Sequence, residues 1–363
     1  ILLIVTEDKA FLVDTIKALL SSLNITANFT LHPIIKVKRN SQGQLENIYP
    51  AISEEEGENE SFFFTELTLG KQITYSELKA KLVQVLSYNE AAVSDWPKIV
   101  NELQATSNLL SSIDRNITQE INEFLEWLRA GNYTFLGYAD FEFSTNDTPA
   151  PKVANALGVL REGPTYLQSL LSLDHPTSDR RIELVATRLN QSSPVGYATK
   201  MDDIIIRFRN ASGEVTSERH FIGFFSKAMS YQSVQQIPVI RRKLATIIEQ
   251  SGLPRNSHGA KEIVNIIESL PRYDLIQIPT EDLLRMAFEI YHFLERPRIK
   301  LFTQRYNAKE FLSCIVFLPS AGLSNEIQTN IANSLAREFN GEIEYRYSQI
   351  LNPNLGRLHI LLR

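Results

Sequence analysis

Few side chains of this sequence combine the residue types and the spacing that chemistry requires. The single cysteine, Cys314, lies in the apolar run Phe311 to Phe317, where a thiol is more often a small buried hydrophobic side chain than a nucleophile. His292 and Glu295 are three residues apart on a predicted helix, but two ligands do not make a metal site. We therefore predict a structural role for Cys314 and no metal ion.

Loops that hold the phosphates of a cofactor are also missing from the sequence. No G-x-G-x-x-G follows a predicted strand, and no G-x-x-x-x-G-K-[ST] occurs. Both loops depend on glycines that bring backbone amides close to a phosphate group. The sequence thus predicts no catalytic residue and no cofactor-binding residue within the chain.

The charge distribution indicates which partners the chain selects. The net charge is −5, and Lys, Arg, Asp and Glu are interspersed, so no basic face is available for nucleic acid or an anionic membrane. The longest apolar runs are strand-sized, far below the roughly 18 to 20 residues that cross a bilayer. One cysteine forms no internal disulfide, which favours a reducing compartment. We predict a cytoplasmic location, with neither nucleic acid nor membrane as a partner.

Residues 1–95 predict the element order β-α-β-β-α, because apolar runs typical of strands alternate with runs of helical spacing. Asp8 precedes the first helix and is predicted to cap it, since a carboxylate accepts hydrogen bonds from the orphan amides of the first turn. The chain starts within the first strand, as a segment cut from a longer protein would. The predicted elements are strand Ile1–Val5, helix Lys9–Leu23, strands Ile25–Arg39 and Ser61–Leu69, and helix Tyr75–Tyr88.

Residues 272–363 repeat this order and add a last strand, so both ends of the chain predict a ferredoxin-like βαββαβ unit. Each unit is expected to form a four-stranded antiparallel sheet with both helices on one face. The predicted elements of the second unit are strand Leu275–Ile278, helix Glu281–Phe293, strands Arg298–Gln304 and Phe311–Leu318, helix Ser324–Phe339, and strands Glu342–Ile350 and Arg357–Leu362.

Between these units we predict a helical connector at 96–131, a β-rich domain at 132–236 and a helical spacer at 237–271. The run Asn210 to Gly213 is a hairpin turn signal within the β-rich domain. The fold class is therefore α+β. The predicted elements are helical residues Ile99–Arg129, strands Tyr133–Phe143, Leu157–Arg161, Glu183–Arg188, Asp203–Arg209 and Val215–Ser226, and helices Ile237–Ser251 and Ala260–Leu270.

Three adjacent cations, Arg241, Arg242 and Lys243, lie around the first turn of a predicted helix, where the helix macrodipole disfavours positive charge. Two explanations stay open: an acidic partner, most simply another part of the same protein, or solvation of the long side chains. His258 precedes the next helix and is predicted to hydrogen-bond to the start of that helix or to the adjoining loop. These four residues are our candidate interdomain contacts.

Six segments, in order along the chain, resemble motifs of one family. Thr6–Thr15 is similar to its D-x-P-F-L-V-D-S motif, and Trp127–Tyr138 is similar to its W-L-x-x-x-x-F-T-F-L-G-Y motif. On these segments the chain resembles the large bacterial NAD-specific glutamate dehydrogenases over essentially its whole length. The other matching segments are Leu157–Arg161, Ile237–Lys243, Ser257–His258 and Pro271–Gln277.

The resemblance implies two ACT-type domains that flank a PAS-like β domain, upstream of a dehydrogenase domain. It also implies that the whole enzyme oxidises L-glutamate with NAD to 2-oxoglutarate and ammonia, in amino-acid catabolism, and that the nucleotide fingerprint and the catalytic lysines lie outside this chain. The sequence departs from the family pattern at three places. Ala10 replaces the usual Pro, Phe11 stands where many amino-acid-binding ACT domains carry Gly, and Ser192–Gly196 is less basic than usual.

We predict a non-catalytic assembly and allosteric region, in which ACT sheet edges and helix faces pair between the subunits of a homo-oligomer and act on the remainder of the same polypeptide. The alternative is an amino-acid sensor, in which the strand-to-helix loops Thr6–Phe11 and Ile278–Asp282 hold the effector with its ammonium near Asp8 or Asp282. Catalysis within the chain is a third hypothesis, and we expect none. The candidate effector residues are Thr6, Asp8, Lys9, Phe11, Thr280 and Asp282.

Overall fold

The computed structural model describes residues 1–363 apart from 69–72, 114, 144–151, 171–177, 179, 255, 295–297 and 307–309. Helices and antiparallel strands alternate along the chain, and the strands form three sheets. The predicted mixture of helix and antiparallel sheet is thus confirmed. Within the described residues, no helix is both long enough and apolar enough to span a membrane.

The first sheet has five strands, and two helices cover one of its faces. Leu12 and Ile16 of the first helix and Leu82 of the second pack against Phe63 at the centre of the sheet, and all four side chains are buried. The elements are β1 (Leu2–Glu7), α1 (Leu12–Ser22), β2 (Thr26–Leu31), β3 (Ile34–Arg39), β4 (Leu45–Pro50), β5 (Glu58–Thr68) and α2 (Tyr75–Ile113).

The strand order of this sheet is β1-β5-β3-β4, and β2 also pairs with β5. Our prediction of one strand over Ile25–Arg39 is wrong, because Pro33 lies between β2 and β3 and has no amide hydrogen to give to a ladder. The strand β4 was not predicted. Strand β1 pairs only with β5, so its other edge meets no strand of the described chain.

The helix α2 is 39 residues long and extends well beyond the predicted end at Tyr88, with Pro97 inside it. Its first half packs against the first sheet through Leu82, whereas Ile99 and Leu103 in its second half belong to the core under the next sheet. It is followed by α3 (Arg115–Trp127) and by a π-turn, Leu128–Asn132. The predicted domain boundary between residues 95 and 96 falls inside α2, and the domain limits stay a prediction.

The middle sheet has five antiparallel strands in the order β7-β6-β10-β9-β8. The predicted hairpin at Asn210 is confirmed, since the Asn210 amide donates to the Glu214 carbonyl at 2.9 Å. The predicted strand Leu157–Arg161 is correct only for Leu157 and Gly158, which end a strand. It is wrong for the residues that follow, because Gly158 adopts φ 63 and turns the chain into a helix. The elements are β6 (Tyr133–Glu142), β7 (Lys152–Gly158), α4 (Val159–Glu162), α5 (Pro164–Leu170), β8 (Ile182–Ser192), β9 (Lys200–Arg209) and β10 (Val215–Phe225).

A group of four helices leads from the middle sheet to the last one. Our predicted strand Leu275–Ile278 is wrong, because Leu275 to Gln277 are the last residues of a short helix and Ile278 follows its end. This helix starts after Pro271 and carries Asp274 in its first turn. The periodicity of a run of only four residues does not distinguish a strand from a buried helix. The helices are α6 (Ile240–Gln250), α7 (His258–Glu268), α8 (Arg272–Gln277) and α9 (Thr280–Phe293).

The last sheet has four antiparallel strands, the predicted number, in the order β11-β12-β14-β13, and the predicted strand Leu275–Ile278 is not among them. Its helix α10 packs on one face through Ala332, whereas Phe317 and Leu355 on the opposite face join the core of α6 to α9. The expected pair of helices on one face is therefore wrong for this unit. The elements are β11 (Lys300–Tyr306), β12 (Phe311–Pro319), α10 (Asn325–Glu338), β13 (Ile343–Asn352) and β14 (Leu355–Leu362).

Candidate functional site

The first group of candidate residues lies in the loop between β1 and α1. Lys9 forms ion pairs with Glu7, at 3.0 Å, and with Glu90 of α2. Asn89 of α2 donates to the carbonyl oxygen of Ala10 at 2.9 Å. These contacts fix the loop against α2, so the loop is part of a junction and not an open end of the sheet.

Asp8 does not cap α1, contrary to our prediction. Its side chain is exposed, and its amide donates to the Asn59 carbonyl at 3.0 Å. The residue before the helix is Phe11, which adopts φ 66 and gives no side-chain cap. The left-handed conformation turns the chain at this point, and it is uncommon for a residue with a large side chain.

The same loop region contacts the middle sheet through the turn after β8. The Gly196 amide donates to the buried Thr15 hydroxyl at 2.8 Å, and a Cβ on Gly196 would lie 3.7 Å from the Phe11 ring. Both Phe11 and Gly196 have positive φ. We name the contacts of residues 6–15 with α2 and with Gly196 the first junction, because they connect the first sheet to the middle one.

The second predicted effector loop does not resemble the first. No strand precedes Thr280; this residue starts α9 directly after Pro279. Asp282 lies in the first turn, and its carboxylate accepts a hydrogen bond from Arg285 at 2.5 Å. Thr280 and Asp282 therefore lie at a turn between two helices. Our prediction that they lie in a loop between a strand and a helix is wrong.

The three adjacent cations have three different environments. Arg241 donates to Glu120 of α3 at 3.0 Å and pairs with Glu123, so an acidic partner exists within the chain. Lys243 points inward, and Arg242 is exposed at the surface. His258 is exposed as the first residue of α7, and the cap of that helix is the neighbouring Ser257, whose hydroxyl accepts from the Ala260 amide.

Lys243 connects α6 to the end of α8. Its ammonium donates to the carbonyl oxygens of Leu275, Ile276 and Ile278 at 2.9, 2.7 and 2.7 Å. These carbonyls are at the C-terminal end of a helix, where a cation is favoured. Burial lowers the pKa of Lys243 to about 8, so the amine stays mainly protonated at neutral pH.

A buried cluster joins α8 to the last sheet, and we name it the second junction: Asp274, Ser313 and His359. The Ser313 hydroxyl donates to the Asp274 carboxylate at 2.7 Å and lies 2.9 Å from Nε2 of His359. Since the hydroxyl hydrogen points to Asp274, Nε2 of His359 carries a proton and donates to Ser313. Burial lowers the pKa of His359. These residue types occur in hydrolases, but all three side chains are inaccessible to a substrate.

A second buried cluster lies on the middle sheet. His220 contacts Asp203 through Nδ1 at 2.8 Å and Glu218 through Nε2 at 3.2 Å, and Arg207 pairs with Glu218. Burial lowers the pKa of His220, but the two carboxylates outweigh burial and raise the pKa to about 9. Sequence analysis missed this cluster. The available signal was charge on one face of a strand, at Asp203, Arg207 and Arg209, which are separated by even numbers of positions.

The remaining residues considered for chemistry are Cys314 and the pair His292 and Glu295. Cys314 is fully buried in the core of the last unit, as predicted, and burial raises the pKa of its thiol to about 11. Glu295, which the sequence places three residues after His292, lies outside the described residues. Among the described residues, no group of three or more His, Cys, Asp and Glu side chains is placed to hold a metal ion.

Three family models match the chain in the order of its units. The model described as "Glutamate dehydrogenase, ACT1 domain" matches residues 1–82, "Glutamate dehydrogenase, helical motif 1" matches 237–296, and "Glutamate dehydrogenase, ACT2 domain" matches 300–363. The first range contains the first sheet, the second contains α6 to α9, and the third contains the last sheet.

Whole-length comparisons agree with these matches. The NAD-specific glutamate dehydrogenase of Halomonas elongata is 28% identical over 98% of this chain, and that of Pseudomonas aeruginosa is 26% identical over 98%. Over nearly its whole length, this chain is similar to NAD-specific glutamate dehydrogenases. The family protein of Mycobacterium tuberculosis is 25% identical over 99% of the chain, and the resemblance predicted from the sequence motifs is confirmed.

The chain is much shorter than these glutamate dehydrogenases. It spans 23% of the length of the Halomonas and Pseudomonas proteins and 22% of the Mycobacterium protein. The described part of the chain contains ACT units and helical regions. Of the candidate residues, Lys9 and Phe11 contribute to the first junction, and Arg241 and Lys243 contact other elements of the chain.

Proposed function

We propose that this chain is a non-catalytic regulatory and assembly segment of a large, cytoplasmic, NAD-dependent glutamate dehydrogenase, placed upstream of the catalytic domain. One observation carries the proposal: relatives with that name match nearly the whole chain, yet the chain spans only 23% of their length. The oxidation of L-glutamate to 2-oxoglutarate and ammonia, and the binding of NAD, are then functions of the remainder of the polypeptide.

The sheets support a division into an ACT unit, a PAS-like domain and a second ACT unit. In the first unit, α1 and α2 lie on one face of an antiparallel sheet, as in a ferredoxin-like arrangement. In the middle unit, two short helices, α4 and α5, lie between the second and third strands of a five-stranded sheet. We assign the first two units to 1–95 and 132–236. For the second ACT unit we now propose 300–363 and not the predicted 272–363, because residues 272–293 belong to the group of helices.

The free edge of β1 supports an assembly role. An unpaired strand edge presents backbone donors and acceptors that another chain is able to pair with. The sheet face beside this edge is also apolar and exposed at Leu3, Val5, Phe29 and Leu31, and large exposed apolar patches mark interaction surfaces. We propose that this edge and face join subunits of a homo-oligomer.

Two measurements test this function. Sedimentation velocity of the chain at tens of micromolar is expected to give a mass above that of the monomer, and a strictly monomeric chain would contradict the assembly role. Incubation of the chain with L-glutamate and NAD is expected to form no NADH, measured at the nicotinamide absorbance band. Glutamate-dependent NADH formation by the pure chain would contradict the non-catalytic role.

A second function, amino-acid sensing, is favoured by the position of the first junction. The loop Thr6–Phe11 contacts both α2 and the middle sheet, so a ligand that displaced Lys9 from Glu90 would change how the first unit packs on its neighbours. Calorimetric titration with each of the twenty amino acids tests this idea. A heat of binding for one amino acid, abolished by Asp8→Asn, would support sensing. No heat of binding for any of the twenty would reject it.

A further inference from the structure

An open groove runs between α6 and α7, with α3 as one wall. Its volume is about 880 Å³. The residues of α6 that line it include Arg241, Leu244, Ala245 and Ile248, which lie on one helical stripe because they are separated by three, one and three positions. This stripe of α6 therefore lines the groove as well as packing on the protein core.

The floor of the groove is apolar and only partly covered. Ile248 and Val264 are half-buried, and Ala245 is exposed. Val264 lies four residues after Ala260 on α7, so α7 also presents one stripe to the groove. Two adjacent helical stripes with small residues at their seam form the kind of groove into which the apolar face of a third helix packs.

The rim of the groove is positively charged. Its lining contains Arg241, Arg242 and Lys261, with Glu120 as the single carboxylate. Arg241 pairs with both Glu120 and Glu123 of α3. Arg242 and Lys261 are exposed, and neither forms an ion pair with another described residue. Two cations beside an apolar floor therefore face solvent without compensation.

We propose that this groove binds a partner protein through an acidic amphipathic helix, whose apolar face packs on Ala245, Ile248 and Val264 and whose carboxylates pair with Arg242 and Lys261. Charge complementarity selects such a helix over a basic one of the same shape. The proposal does not depend on the assembly role of β1, because the groove lies in the helical region between the middle and last sheets.

Two fluorescein-labelled peptides of about 18 residues, long enough to form a helix on a groove, test the proposal. Both carry Leu at positions i, i+3, i+4 and i+7, and their polar positions are Glu in one peptide and Lys in the other. Fluorescence anisotropy is expected to show that the chain binds the Glu peptide and does not bind the Lys peptide. The double variant Arg242→Glu with Lys261→Glu is expected to bind the Glu peptide about tenfold more weakly or worse and to bind the Lys peptide instead.

A second variant and a matched control separate the groove from general charge effects. Ala245→Trp fills the space between the two helical stripes. It is expected to weaken binding of the Glu peptide by about tenfold without changing the midpoint of thermal unfolding. The control, Lys17→Glu with Lys79→Glu, makes the same charge change at exposed positions of α1 and α2 and is expected to leave binding unchanged.

Several outcomes would overturn the proposal. Equal binding of the two peptides, or binding of neither, contradicts it. If the chain self-associates and Ala245→Trp abolishes this self-association, the groove binds a second copy of the chain and not a partner protein. If the chain binds neither peptide but binds anionic phosphatidylglycerol vesicles, and the double charge reversal abolishes vesicle binding, the groove binds a membrane surface.

Discussion

At the scale of single residues, each buried charge has polar partners close to it. His220 lies between Asp203 and Glu218, and Lys243 lies among three carbonyl groups at the end of α8. An ion or polar group without partners in such positions would destabilise the folded state by several kcal/mol. These contacts stabilise the packing of neighbouring elements against one another.

The protonation of His220 makes the stability of the chain depend on pH. Its pKa is about 9 in the folded chain and about 6.5 in the unfolded chain, so the folded state binds the proton more tightly. The stabilisation is complete below the unfolded pKa and is lost as the pH rises toward the folded one. Relative to His220→Gln, which does not titrate, the free energy of unfolding should fall by about 3 kcal/mol between pH 6 and pH 9.5.

Urea unfolding of the chain and of His220→Gln at a series of pH values measures this difference. Parallel pH dependences of the two proteins would mean that His220 has the same pKa in the folded and unfolded states, contrary to the prediction.

Replacement of Lys243 by Met keeps the length of the side chain but removes its donors. The carbonyl groups of Leu275, Ile276 and Ile278 then lose their shared partner in a buried position. We expect the free energy of unfolding to fall by about 2–4 kcal/mol, since each unsatisfied buried group costs about 1–3 kcal/mol and part of the loss is recovered by relaxation. Arg242→Met, at the exposed neighbouring position, is the control and should change it by about 0.5 kcal/mol or less.

At the scale of elements, turns decide where predicted strands end. Gly158 ends β7 in a conformation with φ 63 and ψ −138, which is accessible essentially to glycine alone. The close approach of the Leu136 carbonyl oxygen, 2.1 Å from the position of an added Cβ, leaves no room for a side chain. The turn from β7 into α4 therefore requires glycine for two independent reasons.

The variants Gly158→Ala and Gly43→Ala separate these two reasons. Both glycines have positive φ, but an added Cβ at Gly43 meets nothing within 4 Å. Gly43→Ala should cost about 1 kcal/mol from backbone strain alone, and Gly158→Ala should cost about 3 kcal/mol or more because the clash with the Leu136 carbonyl is added. Urea midpoints measure both, and equal losses would show that the sheet yields to the extra methyl group.

At the scale of the whole molecule, one continuous helix joins two units. The helix α2 packs Leu82 under the first sheet and Leu103 under the middle sheet, and the first junction adds the Thr15–Gly196 hydrogen bond between the same units. A displacement of the first sheet by assembly or by a ligand would therefore be transmitted to the middle sheet through packed elements. This connection is the physical basis for the proposed regulatory role.

The assembly proposal makes a specific prediction for Val5, which is 41% exposed on β1. Val5→Lys places a charge on the edge strand and its apolar face, and charged edge strands resist pairing. We expect the variant to sediment as a monomer with an unchanged unfolding midpoint. Val83→Lys, the same replacement at a 59% exposed position on α2, should retain the mass of the unaltered chain; equal behaviour of the two variants would contradict the role of β1.

The sequence by itself determined the elements whose periodicity is strong and whose turns have a chemical signal. Helical spacing predicted α1, α6 and α10, and the turn at Asn210 predicted the hairpin between β9 and β10. The motifs along the chain also predicted the family, since residue types at fixed spacing survive where overall identity is only 28%.

Only the tertiary structure decided how those elements end and meet. The residues Leu275–Ile278 read as a strand, but Lys243, far away in the sequence, supplies the donors that stabilise them as the end of a helix. Likewise, Asp274, Ser313 and His359 come from three separate elements and meet only after α8 packs on the last sheet. Local patterns report the forces between near neighbours in the chain, whereas these contacts depend on forces between residues that folding brings together.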